Sequence, residues 1–441
     1  MGELFFQKSR FASLRFDHGR PEEARNSFSG GCGARVVNKG HTFFSHASET
    51  GFSGTRNCLN ESLRRAGLDL FPGEKGKAPQ YDIIPDPGQV ACIDSDSLRS
   101  LDTLIRSESP GIRQVSFSFK ASESEIAISS DMPQICRDRI HRTRFSAEVV
   151  MEYGGELFTG YEVRAFRLPS KAFLEKIDLE SVARSALERA ILQTRAVPCP
   201  AGAMPVILSG RAGGTMIHEA CGHGLEADIV QKDFSVFRNS LGTMVASPMV
   251  TLIDDATLPD LFGSYSFDGE GTPAQRTILI REGKLESFLT DRVSSMESGR
   301  PLTGNGRRSS YMAPPVPRMS NTFIMNGDDD AATFPGSTPQ GLYVAKMGGG
   351  EVNPTSGDFV FHVAEGYLFK NGEIGKPVKN AILTGSGPEV LLSIKGVGSD
   401  LQFEPGLCGK AGQSVPVTDG QPTLMIEKLL VGGSETDNGS R

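Results

Sequence analysis

Gly213-Gly-Thr-Met-Ile-His-Glu-Ala-Cys-Gly-His-Gly-Leu-Glu-Ala-Asp228 decides how this 441-residue chain is read. Val206 to Leu208, just before it, reads as a strand, and Ser209 to Gly214 as a tight loop. Thr215 is placed to N-cap a short helix that begins near Met216. His218 and Glu219 then fall in its first turn, and His223 follows five residues after His218. The familiar helical zinc motif carries its ligands at i and i+4, on one face. At i and i+5 a regular helix of 3.6 residues per turn sets them about 140° apart. Both imidazoles reach one ion only if the helix ends or bulges between them, and π-bulges do occur at functional sites. Gly222 and Gly224, on either side of His223, are read as supplying that backbone freedom.

Two histidines leave a catalytic zinc short of its usual three protein ligands and water. Glu226, Asp228, His362 and one of the cysteines are the remaining candidates. Cys408 stands out because Pro405-Gly-Leu-Cys-Gly-Lys-Ala-Gly-Gln413 reads as a glycine-rich loop with room around a thiolate; a turn cysteine is the plain alternative.

The surroundings are α+β. Residues 1–88 read as a smaller N-terminal α/β domain of short strands and one helix, with Leu59, Leu63 and Ala66 on its face and Gly67 at its end. The stretch from Phe71 to Gly88 holds four prolines and reads as a linker. Residues 89–198 form a middle strand-plus-helix domain. Val115, Phe117 and Phe119 alternate there, Gly154-Gly155 makes a turn, and Asp178 caps a helix striped by Leu179, Val182, Ala183, Ala186, Leu187, Ala190 and Ile191. Residues 199–441 hold 35 of the 51 glycines and read as a large, mainly antiparallel β domain carrying the short metal-binding helix. Strands are expected at Leu342–Met347, Phe359–Ala364 and Val390–Ile394, with a tight hairpin at Asn371-Gly372.

Composition narrows the function. A formal net charge of -7 argues against a surface built for nucleic acid. Seven irregularly spaced cysteines argue against a disulfide framework and for a reducing compartment. No leader and no run of 18 apolar residues is seen, so a cytoplasmic protein without a membrane partner is expected.

Several segments together resemble the TldD/PmbA family of cytoplasmic metalloproteases, on its TldD side. They are His-Glu-Ala-Cys-Gly-His-Gly-Leu-Glu at 218–226, Val-Thr-Leu-Ile-Asp-Asp at 250–255, Glu-Gly-Thr-Pro at 270–273, Thr-Gly-Asn-Gly-Arg-Arg at 303–308, Pro-Arg-Met-Ser-Asn-Thr at 317–322 and Cys-Gly-Lys-Ala-Gly-Gln-Ser-Val-Pro-Val at 408–417. The resemblance implies that His218, His223 and Cys408 hold Zn2+ and that Glu219 is the catalytic carboxylate. It implies a peptidase acting on unstructured peptides or small proteins, as a homodimer or paired with a PmbA-type paralogue. The rival reading is a metal-stabilised regulatory subunit without hydrolysis, of the kind described as gyrase modulators.

Other residues carry weaker expectations. Asp254 and Asp255 are candidates to orient a ligand histidine from behind, or simply to end a strand. Asn305, Arg307 and Arg308 are candidates to bind a substrate backbone or carboxylate, with structural ion pairing as the alternative. Cys221 reads as a packed small residue. Gly210–Thr215 lacks the lysine of a phosphate loop.

Overall fold

The computed structural model describes residues 2–48, 51–71, 88, 90–130 and 135–433. Most of the proline-rich stretch expected as a linker lies outside them.

The N-terminal half is built on one antiparallel sheet. Its strands are β1 (Gly2–Asp17), β2 (Arg20–Asn38), β3 (His41–Ala47), β4 (Ile112–Ser130), β5 (Cys136–Tyr153) and β6 (Glu156–Phe166), in the order β3-β2-β1-β4-β5-β6. β1 pairs with β4 from Glu3 opposite Ser130 to Asp17 opposite Ser116, so strands of the first two sequence regions share a sheet. Val115, Phe117 and Phe119 are all buried, as their alternation requires. Gly154 and Gly155, at φ 62° and 82°, make the turn from β5 to β6.

Helices α1 (Phe52–Arg65), α2 (Ser95–Ser107), α3 (Ser170–Lys176) and α4 (Leu179–Thr194) accompany the sheet. The most buried face of α1 is Thr55, Cys58, Ser62 and Ala66, while Leu59 and Leu63 are half-buried. Asp178 caps α4 by accepting from Glu180 N at 3.0 Å. Val182, Ala183, Ala186, Leu187 and Ala190 face the sheet. The helix lies so close to β6 that a Cβ on Gly160 would land on the Ala186 carbonyl, 2.6 Å from Ala190 N.

The C-terminal region runs through β7 (Val197–Pro198), β8 (Gly202–Leu208), α5 (Thr215–Ile217), α6 (Ala227–Gln231), β9 (Leu252–Asp255), β10 (Arg276–Arg281) and β11 (Lys284–Leu285). It continues through α7 (Arg292–Ser298), β12 (Gly306–Arg307), β13 (Val316–Pro317), β14 (Asn321–Ile324), β15 (Gln340–Val352), β16 (Asp358–Lys370) and β17 (Glu373–Lys379). Last come β18 (Ile382–Ser386), α8 (Gly387–Leu392), β19 (Ile394–Val397), β20 (Gln402–Lys410), β21 (Gln413–Gln421) and β22 (Leu424–Gly432). The strand expected at Val390–Ile394 is therefore mostly helix α8. A five-residue apolar run does not distinguish a buried strand from one helical turn.

Five of these strands close into a ring: β8 pairs with β22, β22 with β18, β18 with β16, β16 with β15, and β15 back to β8. Val206, Leu208, Leu342, Val344, Phe361 and Leu383 belong to one buried core. Ile207, on the other face of β8, packs with Phe334, Phe369 and Met425. Asn371 and Gly372, at φ 52° and 88°, turn β16 into β17 as the sequence indicates. A second sheet, ordered β11-β10-β9-β14-β21-β20, is mostly antiparallel, with β14 and β21 parallel. The fold is α+β with a large β-rich C-terminal part. Among the described residues no helix is long and apolar enough to cross a membrane.

Candidate metal centre

The chain leaves the ring at Leu208 and enters the motif. A 3-10 turn at Gly210–Ala212 leads to Gly214, which takes the N-cap place expected of Thr215; α5 starts at Thr215 itself. One turn later the helix widens into a π-turn over His218–Gly222 and then tightens into a 3-10 turn over His223–Leu225. The bulge that an i, i+5 pair requires is present.

Its glycines serve it differently from the sequence expectation. Gly222 has an ordinary helical backbone, φ -55° and ψ -51°, so it lends no unusual torsion. It supplies space: a Cβ there would run into Met319 Sδ and sit 2.9 Å from its Cε. Gly224 likewise faces the Phe237 ring at 3.0 Å.

The two imidazoles lie perpendicular, with ring centroids 5.1 Å apart. Each Nδ1 is engaged from behind: His218 with Asp419 Oδ1 at 2.7 Å and His223 with Glu226 Oε2 at 3.1 Å. The Nε2 atoms are thereby left for the shared space, where Cys408 Sγ lies 3.5 Å from His223 Nε2. One ligand atom from each of His218, His223 and Cys408 falls within 4.8 Å of the others, and all three residues are buried. The segment expected as a glycine-rich loop is strand β20 plus a hairpin turn at Ala411-Gly412, φ 51° and 71°. Arg318 secures that hairpin by donating to the Cys408 carbonyl and, at 3.5 Å, to that of Gln413.

Electrostatics favour a thiolate here. Burial pushes the Cys408 thiol up, but hydrogen bonds and charge from His218 and His223 outweigh it and hold it at about 5. Burial opposes charge on His223, yet Glu226 and Cys408 raise it to about 9. Burial would also raise Glu226, which His223 and Lys410 instead hold at about 2. Lys410 Nζ reaches Glu226 at 2.9 Å, Asp228 at 2.6 Å and the Pro317 carbonyl at 3.0 Å. Glu219 is half-buried, its Oε2 3.8 Å from His223 Nε2; burial raises its pKa, and the two histidines pull the other way. Two neutral-capable imidazoles fixed by carboxylates and one low-pKa thiol suit zinc. Glu226 Oε1, buried beside His223, has no hydrogen-bond partner among the described residues.

The remaining candidates lie elsewhere. Asp254 accepts from Asn305 Nδ2, Ser320 N, Ser320 Oγ and Thr322 Oγ1, and Asp255 from Thr257; neither touches a ligand histidine. The partners behind the rings are instead Asp419, 201 residues from His218 in sequence, and Glu226. Asn305 spans Asp254 and the Arg318 carbonyl. Arg307 donates to the carbonyls of Met319 and Pro416, and Arg308 pairs with Glu3. Asp228 is taken by Lys410, and His362 is exposed on β16.

Three family models match the chain in order: PmbA/TldA metallopeptidase domain 1 over residues 2–67, the central domain over 91–194 and the C-terminal domain over 201–433. The chain belongs to the PmbA/TldD metallopeptidase family. A metalloprotease TldD homolog of Haemophilus influenzae is 34% identical over 98% of this chain and 92% of its own. A metalloprotease of Methanocaldococcus jannaschii is 33% identical over 92% of each chain. The crystal structure of TldE from Thermococcus kodakarensis shares the fold at 17% identity, with a TM-score of 0.77 over 98% of this chain and 96% of that one. Within this metallopeptidase family, His218, His223 and Cys408 of this chain converge as a candidate metal site.

Proposed function

We propose that this protein is a zinc-dependent metallopeptidase that hydrolyses peptide bonds of unstructured peptides or small proteins. His218, His223 and Cys408 would hold the zinc, and Glu219 would act as general base. The convergence of those three ligand atoms beside a half-buried Glu219 carries this reading. Bound there, zinc would acidify a water and polarise a peptide carbonyl. Glu219 takes the proton from the attacking water and passes it to the departing amine. Asp419 and Glu226 keep each imidazole in the tautomer that presents Nε2, and restrain both rings from turning. Lys410 offsets the charge of buried Glu226 and half-buried Asp228. Extended peptides pair readily with sheet edges, and β20, which carries Cys408, is the end strand of its sheet. We place the protein in the cytoplasm, as a homodimer or with a PmbA-type paralogue such as TldE.

Glu219→Gln tests the proposal. Zinc content measured by atomic absorption should stay stoichiometric while cleavage of a fluorogenic unstructured peptide disappears. Cleavage that persists in the variant removes Glu219 from the chemistry. Stoichiometric zinc in a wild-type protein showing no chelator-sensitive cleavage would favour the regulatory-subunit reading.

A further inference from the structure

A cavity of 230 Å³, lined by residues of the N-terminal sheet and of the C-terminal region, has none of His218, His223 and Cys408 in its wall. Its wall brings together Arg142 from β5 with Arg307 and Arg308 from the C-terminal region, against Phe5, Ile126 and Ile140. The three guanidiniums are not equally engaged. Arg307 gives hydrogen bonds to two backbone carbonyls and lies over the Tyr265 ring at 5.1 Å. The Arg308 side chain is 1% exposed; one nitrogen pairs with Glu3, but Nε and Nη1 have no acceptor among the described residues. Arg142 donates to the carbonyls of Phe262 at 3.1 Å and Ser264 at 3.4 Å, and no carboxylate lies within ion-pair distance of it among the described residues.

A carboxylate also lines the cavity, Asp268. Its oxygens are taken up by the backbone N–H groups of Glu270, Thr272 and Gly306. Glu3 is shared between Arg308 and Arg35. The wall therefore holds more guanidinium than carboxylate. Burial without enough compensating charge pulls Arg142 and Arg308 down to about 9. A buried charge with open donors is costly until an anion meets it.

We propose that this cavity binds a small carboxylate with an apolar body. A guanidinium fork matches a carboxylate with two parallel hydrogen bonds, and the phenyl and aliphatic side chains would take the rest of the molecule. The room is adequate, since an apolar cavity of about 150 Å³ already holds benzene. The inference needs neither metal nor hydrolysis, so it stands apart from the peptidase proposal.

Benzoate is the probe, measured by calorimetry and ligand-observed NMR on the full chain. Benzamide keeps its shape without the charge, and inorganic phosphate keeps charge without the body. Benzoate should bind at least about tenfold more tightly than either, the loss expected when a charge-assisted hydrogen bond is removed. Arg142→Gln should weaken benzoate by a similar factor, while Arg113→Gln, at an exposed arginine near the start of β4 that pairs with Glu152 and is not in the cavity wall, should leave it unchanged. Equal binding of benzamide or phosphate, undiminished binding to Arg142→Gln, no binding at millimolar benzoate, or binding that vanishes when zinc is chelated would each overturn the proposal. If Arg142→Gln does not fold, the discrimination between benzoate, benzamide and phosphate by the wild-type chain decides it.

Discussion

Gly222→Ala tests whether the π-turn is set by space or by backbone freedom. The residue has a right-handed helical backbone, so alanine is allowed there, and intrinsic propensity alone would favour it by about 1 kcal/mol. Against this stands Met319, fully buried, whose Sδ occupies the place of the new methyl and whose Cε lies 2.9 Å from it. Overpacking a tight core costs about 1–3 kcal/mol; a methyl driven this far into a fully buried methionine belongs in the upper part of that range, about 2–3 kcal/mol, so after the propensity gain a net destabilisation of about 1–2 kcal/mol is left. The displaced turn carries His218 at one end and leads into His223, so metal affinity should fall with stability. Met319→Ala alone opens a cavity and costs about 2–5 kcal/mol. Since the new methyl fills part of that cavity, the double variant should be more stable than the sum of the two single changes predicts. Urea unfolding and a chelator competition on all four proteins read both quantities. A Gly222→Ala protein as stable as wild type with full zinc affinity, or strict additivity in the double variant, refutes the reasoning.

Other expectations follow from the same geometry. Asp419→Ala frees the back of the His218 ring and should weaken zinc binding about 10–100-fold in a competition assay; unchanged affinity would show that Asp419 does not orient the ligand. Gly160→Ala drives a methyl onto backbone atoms of α4, which cannot rotate away as a side chain can, so it should cost about 3 kcal/mol or more in urea unfolding; a neutral substitution would mean that α4 sits farther from β6. Glu162 is buried, which alone would raise it, yet Lys346, Arg189 and Arg164 hold it at about 2 instead of 4.5. Its contribution is fully present above pH 4.5 and is lost as the pH falls toward 2. Glu162→Gln should therefore be less stable at pH 7, by less than the about 3–5 kcal/mol of a wholly unpaired buried charge, because Glu365 still meets Arg189 at 3.1 Å, and should show a flatter loss of stability between those pH values. Parallel acid-unfolding curves for the two proteins would contradict this.

What the sequence discloses is what depends on neighbours along the chain. The spacing of His218 and His223 demands an interruption, and the π-turn answers it. Asn371-Gly372 and Gly154-Gly155 make their turns because φ > 0 is a local property. Cys408 is marked by its glycine-rich surroundings and then by the family resemblance; its spacing from the histidines says nothing of the fold that brings them together. Asp419 carries no local mark at all, and it meets His218 only because β21 and the motif helix are packed side by side. The length of β2 is hidden for a related reason. Its first half, Arg20 to Ser29, is largely exposed and polar, with no alternation to read, and is extended because β1 pairs with it residue by residue. Gly222 is legible as special but its reason is not, since a sequence shows the missing side chain and not the methionine that fills its place.

The ring of five strands is sealed by β22 against β8, and Cys408 and Asp419 arrive on the hairpin just before it. During synthesis His218 and Glu219 leave the ribosome about 190 residues ahead of Cys408, with the ring still open. A nascent chain at that stage has the two imidazoles and Glu219 but neither Cys408 nor the carboxylate behind His218. On the proposed peptidase reading, the order of the strands delays assembly of the centre until β20 and β21 exist, and an unfinished chain lacks a ligand that the chemistry requires.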